Sequence, residues 1–168
     1  KLFEGYLGKG TELGHTTLVY NGRKCGCGRK GCFEQYASAT ALIRYTKDAM
    51  KENKNSLMWQ VVKEEGKVCG KTAFTAAKKG DASAKKVIKQ YISYLSEGLL
   101  NICNVFRPEV IVLSGGIANQ GKYLIDQIKS YCEKQNYGYK YSPKTIIKVA
   151  ELGYMSGIIG AACLVMNK

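Results

Sequence analysis

The chain has 168 residues, about one domain's length, and 45% of them are hydrophobic, with 19 Gly and only 2 Pro. That composition excludes a disordered or collagen-like chain, and with no run of about 18 apolar residues a conventional membrane span is excluded too. The 26 Lys and Arg against 13 Asp and Glu leave a net charge of +13, but only Arg23, Arg29, Arg44 and Arg107 are Arg and the lysines are spread along the chain. This describes a solvated lysine-rich surface better than a nucleic-acid interface.

In chain order, Leu2 to Tyr6 reads as a short strand loosened by Gly8 and Gly10. Thr16 to Tyr20 is β-branched and aromatic, a second strand, and Asn21-Gly22 is a turn signal. A loop rich in Gly and Cys follows, from Arg23 to Cys32. Ser38 is placed to cap a helix running to about Lys51, and Asn53 to Ser56 breaks it. Leu57 to Val68 fits helix or strand. Thr72 to Lys79 is a short helix ending at Gly80. Asp81 then caps the longest helix, 82–106, whose Val87, Tyr91, Leu95, Leu99, Ile102 and Phe106 recur at helical spacing as a buried stripe. Pro108 ends it. Val110 to Leu113 is a continuous apolar run, as expected of a strand covered on both faces. Ser114-Gly115-Gly116 makes a tight turn leading into a helix from about Gln120 to Gln135, with Tyr123, Leu124, Ile128 and Tyr131 on its apolar side. Thr145 to Ala150 is another strand, and Gly157 to Val165 a very apolar final helix. This order describes a layered α/β architecture.

The first ten residues carry no apolar leader segment, and the chain does not begin with Met; the expectation is a processed chain or a piece of a longer one. Seven cysteines cannot all pair internally. Cys69, Cys103, Cys132 and Cys163 are isolated, and Cys103 and Cys163 lie in apolar runs as expected of small buried side chains. Cys25, Cys27 and Cys32 sit together. With no leader, a reducing cytoplasmic compartment fits, and clustered thiols there point to metal. The chain's one histidine, His15, lies ten residues before Cys25, and the Asn21-Gly22 reversal between them folds it back toward the loop. Three thiolates and one imidazole complete a tetrahedral zinc site with no open position, hence a structural one. The plain alternative is three reduced cysteines beside an unrelated histidine.

These residues carry a resemblance. Glu12-Leu-Gly-His15, then Cys25-x-Cys27-Gly-x-x-Gly31-Cys32-x-Glu34, then Tyr36-Ala-Ser38, is similar to the ROK family (repressors, open reading frames, kinases). Phe106-Arg-Pro108-Glu109, Leu113-Ser-Gly115-Gly116-Ile117 and Gly157-Ile-Ile-Gly160-Ala161-Ala162 extend the likeness over essentially all of 1–168, most closely to its bacterial glucokinases. Gly153-Tyr-Met-Ser-Gly157 departs from it, where those kinases often carry Asn-Asp-Ala.

The resemblance implies an actin/hexokinase-like, ribonuclease H-like C-terminal lobe with a zinc-binding loop at 15–32. It implies that Glu12, His15 and Glu34 contact sugar hydroxyls, as carboxylates accepting charge-assisted bonds suit vicinal diols. The strand and turn at 110–117 would face ATP, with Gly115 and Gly116 letting backbone amides approach it. The implied reaction is transfer of the γ-phosphoryl of ATP, held with Mg2+, to a hexose, glucose first, by a protein that commonly dimerises. Read alone, Glu34 is simply a carboxylate favoured at a helix start. The sequence contains no D-x-G-x-T phosphate loop and no Asn-Asp pair. Asp48, Asp81 and Asp126 sit in helix or cap contexts unsuited to a general base. The catalytic base is therefore expected in an N-terminal lobe outside these residues, and the 168-residue piece is expected to be inactive alone. Two other readings stand beside this: the sugar-sensing domain of a ROK-type repressor, and a zinc-stabilised binding domain without catalysis.

Overall fold

The computed structural model describes residues 3–138, 140–141 and 143–166. Its helices are α1 (Glu34–Ala37), α2 (Ala39–Glu52), α3 (Met58–Glu65), α4 (Thr72–Lys78) and α5 (Ala82–Phe106), followed after strand β1 (Val110–Leu113) by α6 (Lys122–Gln135) and, after strand β2 (Ile146–Val149), by α7 (Ser156–Met166).

Capping chemistry sets most of these limits. Ser38 Oγ accepts the Ala41 amide at 3.1 Å and starts α2. Asp81 Oδ1 accepts the Ala84 amide at 2.6 Å, while its Oδ2 accepts the Leu57 amide at 2.7 Å. One buried carboxylate thus holds the starts of both α5 and α3. That second contact settles 57–68, which is helical over Met58–Glu65. Trp59 Nε1 donates to Met50 O at 3.1 Å and ties α3 to the end of α2. α5 covers the predicted span and ends where Arg107 turns left-handed (φ 46°) ahead of Pro108.

The core lies where α2 to α6 meet, around Leu42, Met58, Phe74, Ile88, Leu124 and Ile128. The α5 stripe holds at Val87, Tyr91 and Leu99, and opens toward the helix end, where Phe106 is exposed. On α6 the buried face is Leu124, Ile125, Ile128 and Cys132, while Tyr123 lies at the rim. The two strands pair in parallel, Val110 opposite Ile146 and Leu113 opposite Val149, with α6 as their crossover.

Several expectations are corrected. Of the Leu2–Tyr6 strand, Leu2 lies outside the described residues; 3–5 have no regular structure, and Tyr6–Gly8 is a 3-10 turn. The chain doubles back there, with the Gly10 amide on Glu4 O at 2.8 Å. Thr16–Tyr20 forms only an isolated bridge, Thr17 to Cys32, because the Leu18 and Val19 amides both turn onto Gly31 O. β1 is covered on one face only: Ile111 and Leu113 pack on the core while Val110 and Val112 are exposed. Gly115-Gly116 does not open α6 directly, since a 3-10 turn, Ala118–Gln120, intervenes. Cys163 lies exposed on α7, whereas Cys103 is buried as expected. Among the described residues no helix is long and apolar enough to cross a membrane.

Candidate functional site

The loop from Arg23 to Cys32 folds as a tight knuckle. The Lys24–Lys30 bridge closes its neck, and the Cys25 amide donates to Arg29 O at 2.9 Å. The preceding reversal brings Gly31 against Val19, as its amides and carbonyls require. His15 ends a 3-10 turn, Leu13–His15, whose first carbonyl, Glu12 O, accepts the His15 amide at 3.0 Å. The sequence reversal therefore does what the spacing predicts: one ligand atom each from His15, Cys25, Cys27 and Cys32 lie within 4.8 Å of one another.

The distances suit a metal. Zinc bonds of about 2.3 Å to sulfur and about 2.0 Å to nitrogen place two tetrahedral sulfurs about 3.8 Å apart, and sulfur and nitrogen about 3.5 Å apart. Cys27 and Cys32 Sγ are 3.7 Å apart, and Cys25 Sγ lies 3.5 Å from His15 Nδ1. Backbone amides already serve the sulfurs. The Arg29 N–H, the largest influence on Cys27, holds that thiol below its ordinary value; at Cys25 the Glu34 carboxylate dominates and raises the thiol, with the Cys27 N–H pulling the other way. Such donors stabilise thiolates.

Glu34, the first residue of α1, meets the same cluster. Its Oε1 accepts the Cys25 thiol at 3.0 Å and lies 3.8 Å from His15 Nδ1. Sharing that proton pushes Cys25 up to about 12 and holds the Glu34 carboxyl below the usual carboxylate range. A thiolate ligand must lose this proton, so metal binding at Cys25 releases it. His15 and Glu34 are partly exposed, with side-chain exposures of 35% and 40%, and Glu12 is exposed. Two of the three predicted sugar residues, His15 and Glu34, thus meet at the solvent edge of the cysteine cluster, and Glu12 is tied to it through its backbone carbonyl, which accepts the His15 amide.

Gly115 and Gly116 lie elsewhere, at the carboxyl ends of the parallel strands. Gly115 has φ +94°, which favours glycine there, whereas a Cβ built on either glycine meets nothing within 4 Å. The turn borders a cavity of about 270 Å3 lined also by Ser38, Tyr91 and Leu95. Ser114 Oγ reaches Gly153 O at 3.4 Å, so the turns after β1 and β2 stand side by side. Crevices at strand carboxyl ends are where open α/β folds bind ligands.

The ROK family model matches residues 1–168. The chain belongs to the ROK family. A curated glucokinase of Streptomyces coelicolor is 32% identical over 98% of this chain, and a glucokinase of Thermotoga maritima 30% identical over 99%. A xylose repressor of Bacillus spizizenii is 29% identical over 94% of it. The structure of a ROK family glucokinase from Streptomyces griseus, in complex with glucose and AMPPNP, superposes on 98% of this chain with a TM-score of 0.88 at 31% identity. The chain spans about half the length of the glucokinases it matches, 53% in S. coelicolor and 52% in T. maritima.

Sequence reasoning missed what holds this ROK site to the core. Glu34 does start a helix, as its residue type alone allows, but nothing local in the sequence shows what anchors α1. Its last carbonyls are taken up by side chains from two other helices: Tyr45 OH donates to Tyr36 O at 3.2 Å, Tyr91 OH to Ala37 O at 3.0 Å, and Arg44 Nη2 to Gln35 O. Tyr36 OH in turn accepts the Arg23 amide at 2.8 Å and fixes the start of the knuckle. Phe33 lies over Gly98 of α5, where a Cβ would fall 2.1 Å from its ring. A glycine in the middle of a strong helical pattern was the available signal.

Proposed function

We propose that this chain is the C-terminal, actin/hexokinase-like lobe of a cytoplasmic ROK hexose kinase, acting on glucose first. The observation that carries the proposal is the meeting of His15 and Glu34 on the edge of the four-residue His/Cys cluster, with Glu12 exposed three residues before His15 and its carbonyl accepting the His15 amide. His15 turns Nδ1 toward Cys25, which leaves Nε2 for a hydroxyl. Glu12 and Glu34 then accept hydrogen bonds from neighbouring hydroxyls of the same ring. His15, Cys25, Cys27 and Cys32 would hold the zinc. When bound, it supplies a fixed tetrahedral anchor with every position filled by protein. The chain's residues do the rest: the knuckle fixes the imidazole, and α1 fixes Glu34.

Gly115 and Gly116 would meet ATP. Nothing within the chain requires glycine at 116, since the space beside it is open, and bare backbone facing a cavity suits a phosphate or an adenosine. The cavity touches Ser38, just beyond α1, so the two half-sites share a wall. Phosphoryl transfer needs groups from both sides of a cleft, and the general base would come from the other lobe. The likeness to S. griseus glucokinase with glucose and AMPPNP supports this reading.

A coupled assay of the full-length protein with ATP, Mg2+ and a hexose panel tests it. Glucose turnover is expected, with Glu12→Gln raising KM for the sugar about tenfold or more, the loss of roughly 1.4 kcal/mol of binding. Cys27→Ser is expected to lose the metal. A full-length protein that phosphorylates no hexose would sink the proposal. The xylose repressor relatives favour a second reading, a sugar-sensing repressor domain. A helix-turn-helix upstream, with salt-dependent operator binding relieved by sugar, would decide for it.

A further inference from the structure

Arg29 lies on the outer arm of the knuckle and takes no part in the ligand set. Its guanidinium nevertheless reaches back across the loop. Nη1 donates to His15 O at 3.3 Å, and Nη2 donates to Thr17 Oγ1 at 2.9 Å. Its backbone is engaged as well: Arg29 O accepts the Cys25 amide at 2.9 Å, and the Arg29 N–H serves Cys27 Sγ. One residue therefore touches the segment that carries the histidine and the arm that carries two of the thiols.

We propose that Arg29 is a positioning residue that sets the aim of His15, resting on the reading of His15 as both metal ligand and sugar contact. His15 enters the cluster from a 3-10 turn with no side-chain cap, and the residue after it is already extended. Its amide is held by Glu12 O at 3.0 Å, and Arg29 Nη1 donates to its carbonyl from across the loop. The planar arginine fork spans two acceptors two residues apart and locks the carbonyl of His15 in place. A lysine carries its three donors on one nitrogen and has no planar two-nitrogen fork to span both acceptors in fixed geometry. Single exposed hydrogen bonds contribute little to stability, so the effect belongs to site geometry rather than to the fold. Groups that orient metal ligands in this way are worth about 10–100-fold in metal affinity.

The test uses the full-length protein as wild type, Arg29→Met, Arg29→Lys and Thr17→Val. Metal affinity is read by competition with a chromophoric chelator, and ligand geometry by the absorption of the Co2+-substituted protein. Steady-state kinetics supply KM and kcat for the hexose. Arg29→Met is expected to weaken metal binding about tenfold or more, to change the Co2+ spectrum, and to raise KM for the hexose with kcat held within about twofold. Arg29→Lys and Thr17→Val are expected to show part of the same change, and Thr17→Val keeps the test decisive if Arg29→Met does not fold. Wild-type metal affinity and spectrum in both Arg29→Met and Thr17→Val overturn the inference. A wild-type protein that holds metal but phosphorylates no hexose removes the kinase reading alone, and the chelator and Co2+ arms still decide Arg29. A wild-type protein that holds no metal overturns the inference outright.

Discussion

Two glycines five residues apart in the knuckle, Gly26 and Gly31, separate composition from necessity. A Cβ on Gly31, at φ +77°, would stand 1.7 Å from Val19 O, whereas one on Gly26 meets nothing within 4 Å. Gly31→Ala must push the Val19 carbonyl and the Cys32 sulfur apart, so metal affinity measured with a competing chelator is expected to fall sharply. Gly26→Ala is expected to leave it unchanged; equal effects from the two would refute this account. Asp81 carries the other residue-scale prediction. Burial pushes its carboxyl up, but the Ala84 and Leu57 amides outweigh that and hold it below the ordinary aspartate value. A depressed folded value means that the carboxylate stabilises the fold above the unfolded pKa of about 3.9. That contribution disappears as pH falls through the lower folded value. Asp81→Ala removes two helix starts at once and is expected to cost about 2 kcal/mol at neutral pH. Denaturant melts should show the gap between mutant and wild type narrowing below about pH 4.

Elements were legible wherever a local signal set their ends. Ser38, Asp81 and Pro108 mark α2 and α5 within a residue, because caps and breakers act on their own neighbours. The apolar run of β1 is likewise the strand Val110–Leu113. What stayed hidden depends on distant partners. Thr16–Tyr20 has strand composition, but the amides of Leu18 and Val19 are claimed by one carbonyl, Gly31 O. Helix α1 is four residues long, too short for periodicity, and is held by tyrosines from α2 and α5. The candidate site was more legible than its support: the His15, Cys25, Cys27 and Cys32 cluster followed from residue type and spacing, the packing of Phe33 on Gly98 did not. That packing gives an element-scale prediction. Alanine in place of glycine in a helix interior gains about 1 kcal/mol by propensity, but overpacking of a filled contact costs about 1–3 kcal/mol. Gly98→Ala should therefore lower the melting temperature despite the better helix former, and Phe33→Leu should recover part of the loss in the double mutant, since the two residues touch. Independent, additive losses would show that Phe33 is not what Gly98 accommodates.

At the scale of the molecule two surface properties oppose each other. The +13 charge of the chain repels a second copy, and repulsion of this kind is long-ranged and screened by salt. Against it stands an apolar surface without cover: Ile158, Leu164, Val165 and Met166 on α7 are exposed, as are Val110 and Val112 on the open face of β1. Apolar exposure on this scale marks a surface that another body covers. The glucokinase relatives are about twice as long, and in the reading proposed above the other lobe is that body. The 168-residue chain alone is then expected to self-associate, weakly at low ionic strength and more strongly as salt screens the lysines. Light scattering across a salt series measures this directly. Leu164 and Val165, 55% and 75% exposed, are open enough for Leu164→Glu with Val165→Glu to be accommodated, and that double variant should remain monomeric throughout. A wild-type chain that stays monomeric at high concentration and high salt would show that the apolar face of α7 needs no cover. Association that weakens with salt would show that charge pairing, not apolar burial, drives it.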